Sequence, residues 1–132
     1  MTAGLRLWLA VGSGGMLGAL ARALVSLWLL ERFGPGFPWG TLAVNVAGSF
    51  LIGLFAALTE PGGPVRASAA LRQFVLAGFC GGFTTFSIFS LETVLLVAGG
   101  AFGLAALYLC GSVLLWLLAV WIGYRAGLRR SP

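Results

Sequence analysis

The amino-acid sequence predicts an all-α membrane protein with four transmembrane helices, and its composition and the lengths of its apolar segments support that prediction. Of 132 residues, 60% are hydrophobic and only 8% are charged, whereas about a quarter are charged in an ordinary globular domain. The mean hydropathy is +1.04. Eight basic and three acidic side chains are too few to cover a soluble domain of this size. We therefore expect one transmembrane domain, residues 1–132, in a lipid bilayer.

Four apolar segments are long enough to cross a bilayer as a helix, which takes about 20 residues. Clusters of glycine and proline at residues 31–38 and 60–64, and a glycine pair at 99–100, separate the segments and are poor continuations of a helix. The predicted helices comprise, approximately, residues 5–30, 39–59, 69–98 and 102–124.

The third segment is too long for one straight transmembrane helix. Its 30 residues would extend about 45 Å, whereas the hydrocarbon core is about 30 Å thick. Near its centre, three glycines at positions 78–82 precede three hydroxyl residues at positions 84–87, a combination with low helix propensity. We expect a break near residues 81–84, buried in protein or lining a cavity, because non-helical backbone is tolerated at membrane depth only there.

Glycines recur four residues apart in two of the predicted helices, as Gly14 with Gly18 and as Gly78 with Gly82. Such pairs let two helix backbones approach closely. Four helices barely enclose a hydrophilic path, so we expect a transporter of this size to form a dimer.

Polar residues follow helical spacing in the second and fourth segments. Thr41, Asn45 and Ser49 are four residues apart, as are Tyr108 and Ser112, so each set lies on one helix face. Two interpretations stay open for such a stripe, namely hydrogen bonding between helices and the lining of a pore. An asparagine amide offers two donors and suits either role.

In the third segment, phenylalanines at positions 83, 86 and 89 alternate with hydroxyl residues. Their spacing predicts that the three rings share one side of the helix. A stripe of this kind is commonly part of a core. The edge of an aromatic ring carries the positive end of its quadrupole, so rings that line a pore could also face an anion.

Few charged residues fall inside the apolar segments. Glu92 is the acidic residue within the third segment, either a vestibule residue or a partner for an arginine, and we expect it near the end of the polar path. Arg22 lies well inside the first segment, either as a headgroup anchor or as a vestibule cation that attracts anions. A path rich in donors and poor in carboxylates favours an anion. The chain has no histidine, which excludes imidazole-based catalysis, and we expect no enzymatic activity.

Three stretches, residues 14–22 (GGMLGALAR), 40–50 (GTLAVNVAGSF) and 78–89 (GFCGGFTTFSIF), resemble in order the signature sequences of the Fluc (CrcB) family of fluoride channels. The resemblance extends over all four predicted helices. It implies passive, fluoride-selective efflux across the inner membrane, which protects the cytoplasm from fluoride. It also implies an antiparallel, dual-topology dimer with two pores and a structural sodium ion at its centre.

The resemblance assigns roles to individual residues. Arg22 would match a vestibule arginine, and the backbone carbonyls of Gly81 and Thr84 would hold the sodium ion. The family often has serine one turn after Ser112, where this chain has Trp116, so the far end of the path is left undefined. The expected fluoride pore comprises Thr41, Asn45, Thr85, Phe86, Ser87, Phe89, Tyr108 and Ser112.

The distribution of arginine predicts cytoplasmic termini, because six arginines would lie on the side of the termini and one, Arg32, on the other. An antiparallel homodimer needs a weaker bias than this. We expect a homodimer, with pairing to an oppositely oriented homologue as the alternative. The six arginines on the side of the termini are Arg6, Arg66, Arg72, Arg125, Arg129 and Arg130.

Two other functions are alternatives to a channel. A small proton-coupled multidrug antiporter needs a membrane-embedded carboxylate, which the first segment lacks and which Glu92 offers only late in the third. A non-conducting membrane anchor would need neither the break nor the hydroxyl residues. The net charge of +5 is explained by arginines at the bilayer surface, and no nucleic-acid partner is expected.

Overall fold

The structure, a computed structural model, describes residues 2–129, and these are helical with short connections and no strand. Four stretches are long and apolar enough to cross a membrane: Ala3–Phe33, Trp39–Leu58, Ala69–Ala98 and Phe102–Leu128. They confirm the four predicted spans. The helices are α1 (Ala3–Phe33), α2 (Trp39–Leu58), α3 (Ala69–Arg72), α4 (Gly81–Phe83), α5 (Ser87–Ala98) and α6 (Phe102–Leu128), with a π-helix at Gln73–Cys80 between α3 and α4.

Two helices extend further than the sequence predicts. Helix α1 continues through Glu31 and Arg32 and ends where Gly34 adopts a φ of 73°, a conformation that glycine enters at little cost. Helix α6 continues past residue 124 to Leu128, and the guanidinium of Arg125 lies 5.8 Å from the ring centre of Trp121. Both helices thus continue through charged residues that the sequence-based prediction places outside them. The predicted cytoplasmic residue Arg130 lies outside the described residues.

The helical hydrogen bonding of the third span stops after Phe83 and resumes at Ser87. Gly81 has helical angles, φ −62° and ψ −38°, so the prediction that residues 81–84 are unwound is wrong for the first three of them. Thr84 is extended, with φ −88° and ψ 161°. The non-helical residues are therefore 84–86, immediately after the glycines.

Glycines bring α1 into backbone contact with the third span, as their spacing predicts. A Cβ atom added to Gly14 would overlap the carbonyl oxygen of Phe74, and one added to Gly18 would overlap that of Phe79. The π-helix and α4 both pack against α1. The first half of the third span is therefore held against α1 without intervening side chains.

Helices α2 and α6 form the second close pair. A Cβ atom on Gly53 would overlap the carbonyl oxygen of Val120, and one on Gly123 would overlap that of Phe50. Helix α5 contacts both α2 and α6. The second half of the third span therefore packs mainly on α6, the first half packs mainly on α1, and α2 contacts both halves.

The close approach at Gly18 is testable by adding one methyl group. In Gly18→Ala the new Cβ meets the Phe79 backbone, so α1 and the π-helix must separate, at a cost of about 1–3 kcal/mol for overpacking. We expect a lower thermal unfolding temperature in detergent, measured by circular dichroism. Gly12→Ala is the matched control, since its Cβ meets nothing within 4 Å. Equal unfolding temperatures for the two variants would contradict the proposed contact.

Candidate functional site

The side-chain amide of Asn45 is paired with the backbone of Thr85. Asn45 Nδ2 donates to the Thr85 carbonyl oxygen at 2.8 Å, and the Thr85 N–H donates to Asn45 Oδ1 at 2.7 Å. Asn45 is 4% exposed and Thr85 is 8% exposed. The amide therefore satisfies both backbone groups of a buried residue that lies outside any helix.

Threonine hydroxyls complete the helix ends on either side of this residue. Thr84 Oγ1 donates to the Cys80 carbonyl oxygen at 2.9 Å, at the end of α4. Thr85 Oγ1 accepts from the N–H of Ile88 at 3.2 Å, in the first turn of α5. It also lies 3.3 Å from Ser87 Oγ. Thr85 and Ser87 are thus adjacent, although Thr85 is buried and Ser87 is exposed.

Two backbone carbonyls at the interruption have lost their ordinary helical donors. The donor expected for Gly81 is the Thr85 N–H, which is bonded to Asn45. The donor expected for Thr84 is the Ile88 N–H, which is bonded to Thr85 Oγ1. Gly81 is exposed, with open space around it. The two carbonyls that the sequence predicts as ligands are therefore released from the helical hydrogen-bond pattern.

A cavity of about 180 Å³ adjoins the interruption. Its wall contains amide, hydroxyl, indole and aliphatic groups and no charged side chain. Phe86 stands at its edge and is 70% exposed. The cavity is lined by Asn45, Ser49, Ile52, Thr84, Thr85, Phe86 and Trp116.

Phe89 is the centre of an aromatic cluster beside this cavity. Its ring is 2% exposed, and its centre lies 5.6 Å from that of Phe86, 5.1 Å from that of Tyr108 and 4.6 Å from that of Trp116. The prediction that positions 83, 86 and 89 share one side of a helix is wrong, because the helix ends at Phe83. Phe83 and Phe89 are consequently buried, whereas Phe86 is exposed.

A second group of polar side chains surrounds Glu92 on α5. Thr41 Oγ1 donates to Glu92 Oε1 at 2.8 Å, and the Tyr108 hydroxyl donates to Glu92 Oε2 at 2.7 Å. Glu92 and Thr41 line a further cavity, of about 150 Å³, together with Pro38 from the connection between α1 and α2. The polar faces predicted for α2 and α6 therefore converge on one carboxylate.

The remaining predicted residues are Ser112 and Arg22. Ser112 is 1% exposed and lies one turn from Tyr108 on the same buried face of α6. Arg22 is half-buried on α1 and lines neither of the two cavities. The structure thus brings the predicted residues of α2, α5 and α6 together and leaves Arg22 apart from them.

The structure adds two residues, Trp116 and Phe37, to the site that the sequence did not assign to it. Trp116 lines the cavity of about 180 Å³ together with Ser49, a member of the predicted α2 stripe, and it continues the four-residue spacing of α6, which is the signal that could have identified it. Phe37 packs edge-on against Tyr108, with ring centres 5.4 Å apart. It lies in a connection without periodicity, so no spacing pattern could have identified it.

Comparison with known proteins gives matches over most of the chain. It is 48% identical over 120 residues to Fluoride-specific ion channel FluC of Opitutus terrae, covering 91% of each chain. It is 50% identical over 114 residues to Fluoride-specific ion channel FluC 1 of Bradyrhizobium diazoefficiens, covering 86% of this chain and 79% of that one. Fluoride-specific ion channel FluC of Acidobacterium capsulatum is 48% identical over 123 residues, with 93% and 95% covered.

A family model described as CrcB-like protein, Camphor Resistance (CrcB), matches residues 9–124. The match includes the second and third membrane-spanning stretches in full, most of the first and fourth, and every residue of the two cavities. The four spans and these relatives together identify a multi-pass membrane protein. The chain belongs to the CrcB-like family.

Proposed function

We propose that this protein is a fluoride-selective channel that lets fluoride leave the cytoplasm passively across the inner membrane and so reduces fluoride toxicity. The observation that carries the proposal is the uncharged, donor-bearing cavity beside the interrupted third span. The relatives named as fluoride-specific ion channels support the same ion. No catalytic step is proposed.

The chemistry of the site suits a small anion. Transfer of a small ion into a low-dielectric medium costs tens of kcal/mol, so hydrogen-bond donors must replace the water that fluoride loses. Asn45 uses one of its two amide N–H groups on Thr85, which leaves the second for an anion. The edge of an aromatic ring is electropositive, so Phe86 adds to this lining, and Phe89 is buried beside it with ring centres 5.6 Å apart.

Glu92 is compatible with an anion path because its carboxylate is already compensated. Each of its oxygens accepts a hydrogen bond, one from Thr41 and one from Tyr108. Thr41 is one helical turn from Asn45, and Tyr108 is one turn from Ser112, so the two polar groups are consecutive along α2 and α6. We place the fluoride pore along these residues, with Glu92 and Arg22 at its vestibules.

The pore requires a second subunit. In a single subunit the cavity is bordered by Phe86, whose side chain is 70% exposed. That ring must contact either lipid or a partner subunit. We propose an antiparallel homodimer with two pores, in which the partner covers this side. A heterodimer with an oppositely oriented homologue is the alternative, favoured by the unequal distribution of arginine.

The carbonyls of Gly81 and Thr84 fit a structural sodium ion at the dimer centre. Both have lost their helical donors. Gly81 lies in the last turn of a half-helix and Thr84 in the non-helical segment, and carbonyls of both kinds are suitable ligands for sodium. The ion would supply a positive charge that these carbonyl dipoles stabilise. The Asn45 side chain would position these carbonyls, because its hydrogen bonds to the Thr85 backbone keep the segment non-helical.

The dimer and its sodium site are tested together by the mass of the detergent-solubilised protein. Light scattering coupled to size-exclusion chromatography should give a dimer in sodium chloride. Replacement of sodium by N-methylglucamine should raise the monomer fraction, because the carbonyls then lack a cation. A monomer under both conditions would contradict the dimer, and an equal dimer fraction under both would contradict the sodium site.

Fluoride release from liposomes tests the function itself. Vesicles containing the purified protein are loaded with potassium fluoride or potassium chloride and treated with valinomycin, and the external anion is followed with an electrode. We expect rapid release of fluoride and retention of chloride, because the donors replace the water that fluoride loses and the proposed pore excludes the larger ion by its size. Release of both anions at the same rate would contradict the selectivity, and release of neither would contradict a channel formed by this chain alone.

Glu92→Gln separates the channel from a proton-coupled antiporter. The amide keeps the shape of the side chain but cannot exchange protons, so an antiporter would lose its transport. A channel should retain fluoride efflux within about tenfold of the wild type, a change of about 1.4 kcal/mol, because Gln still bonds to Thr41 and Tyr108. Efflux is measured in the same liposomes, with Glu60→Gln at the end of α2 as the control. Complete loss of fluoride efflux with the Glu92 variant alone would contradict the passive role proposed for this carboxylate and would indicate that transport depends on its titration.

Asn45→Ala tests the hydrogen bonds at the interruption. The Thr85 N–H and carbonyl would lose their partners, each at a cost of about 1–3 kcal/mol, and the cavity would change shape. We expect fluoride efflux per folded protein to fall by at least about tenfold, which corresponds to about 1.4 kcal/mol. Ser13→Ala, on the exposed face of α1, is the control and should conduct normally. Unchanged efflux in Asn45→Ala would contradict a role for this pairing in conduction, whereas absence of efflux from the wild type would favour a non-conducting anchor.

A further inference from the structure

Two buried side-chain polar atoms within residues 2–129 have no hydrogen-bond partner, and they are Ser112 Oγ and Trp116 Nε1. They are four residues apart on α6, which places them on one face about 6 Å apart along the helix axis. Buried polar groups are nearly always hydrogen-bonded, so each exception calls for an explanation such as a bound ion or water. Two exceptions one turn apart point to a common ligand path.

Trp116 belongs to the wall of the donor-bearing cavity. It lines that cavity together with Asn45, Thr85 and Phe86. On another side its ring packs edge-on against Phe89, with ring centres 4.6 Å apart and an interplanar angle of 71°. The contact with the buried Phe89 ring fixes the position of the indole next to the cavity.

The chemistry of the indole limits what can satisfy it. An indole N–H is a donor only, whereas a serine hydroxyl can donate or accept. The ligand of Trp116 Nε1 must therefore offer a lone pair. The cavity has no carboxylate, and the Oδ1 acceptor of Asn45 is already bonded to Thr85. An anion in the cavity meets this requirement and adds charge to the hydrogen bond, which strengthens it.

We propose that the Trp116 indole N–H donates a hydrogen bond to the permeating anion and forms a binding position one turn beyond Ser112. The inference rests on the proposed fluoride channel and adds a specificity residue to it. A rigid N–H in a narrow wall favours fluoride over chloride, because the smaller anion forms the shorter and stronger bond and needs less space beside Phe89.

Proton–nitrogen correlation spectra of the full-length protein test the binding directly. The chain has five tryptophans, and with ¹⁵N-labelled indoles in detergent micelles the signal missing from Trp116→Phe identifies Trp116. Titration with sodium fluoride should move this signal downfield in the proton dimension and saturate. Sodium chloride at equal ionic strength should not, and the other four signals should stay in place.

Fluoride efflux from liposomes supplies the second readout. Trp116→Phe keeps an aromatic ring against Phe89 but lacks the N–H, and we expect efflux to fall by about tenfold, or about 1.4 kcal/mol. Trp121→Phe is the matched control, because Trp121 is on the same helix and 59% exposed. It should conduct like the wild type.

The outcomes separate this inference from the function on which it rests. If the wild type releases fluoride while the Trp116 signal ignores fluoride, the indole has another partner and the inference is overturned, whatever the efflux of Trp116→Phe. If Trp116→Phe conducts like Trp121→Phe, the donor is not part of the path and the inference is again overturned. If the wild type releases no fluoride at all, the proposed function fails first.

Discussion

The hydrogen-bonded pair between the Asn45 amide and the Thr85 backbone is the interaction on which the interrupted third span depends. In the bilayer core no water is available to satisfy a free peptide group, and each unsatisfied group costs several kcal/mol. An asparagine side chain has a donor and an acceptor side by side, as a peptide group does, and both are bonded to Thr85 here. The amide of α2 thus takes the place of a helical neighbour and makes the interruption tolerable.

This pairing has further effects on the backbone around it. Because the Thr85 N–H is bonded to Asn45 and the Ile88 N–H to Thr85 Oγ1, the carbonyls of Gly81 and Thr84 lose their usual donors. Phe86 is also turned outward, in contrast to the buried Phe89. One buried amide therefore accounts for the free carbonyls, the exposed ring and the position of the cavity between them.

The parts of the fold that the sequence could predict are those that depend on local pattern. Apolar length predicts the four spans, and four-residue spacing predicts the buried faces of α2 and α6. The position of the interruption could not be predicted, because helix propensity points to the glycines, whereas contacts from α2 determine which residues unwind. Gly81 and Gly82 are both helical. A glycine is needed at position 82 for close packing on α1 rather than for flexibility.

The candidate site follows the same division. Its hydroxyl and amide residues were predictable from spacing, since Thr41 and Asn45 are four residues apart, as are Tyr108 and Ser112. The two hydrogen bonds to Glu92 were not, because they join residues 51 and 16 positions apart in the chain. The four-residue spacing of α6 also extends to Trp116. An indole is not a hydroxyl, so this position is not recognised from residue type as part of the same polar face.

The attachment of the two halves of the third span to different helices has a mechanical consequence. The π-helix and α4 pack mainly on α1, and α5 packs mainly on α6, while α2 contacts all three. Glycine contacts hold the π-helix close to α1 and hold α2 close to α6. A lateral shift of α1 against α6 would therefore be concentrated in residues 84–86. The cavity beside these residues would then change width with the spacing of whole helices, and we expect it to respond to bilayer thickness.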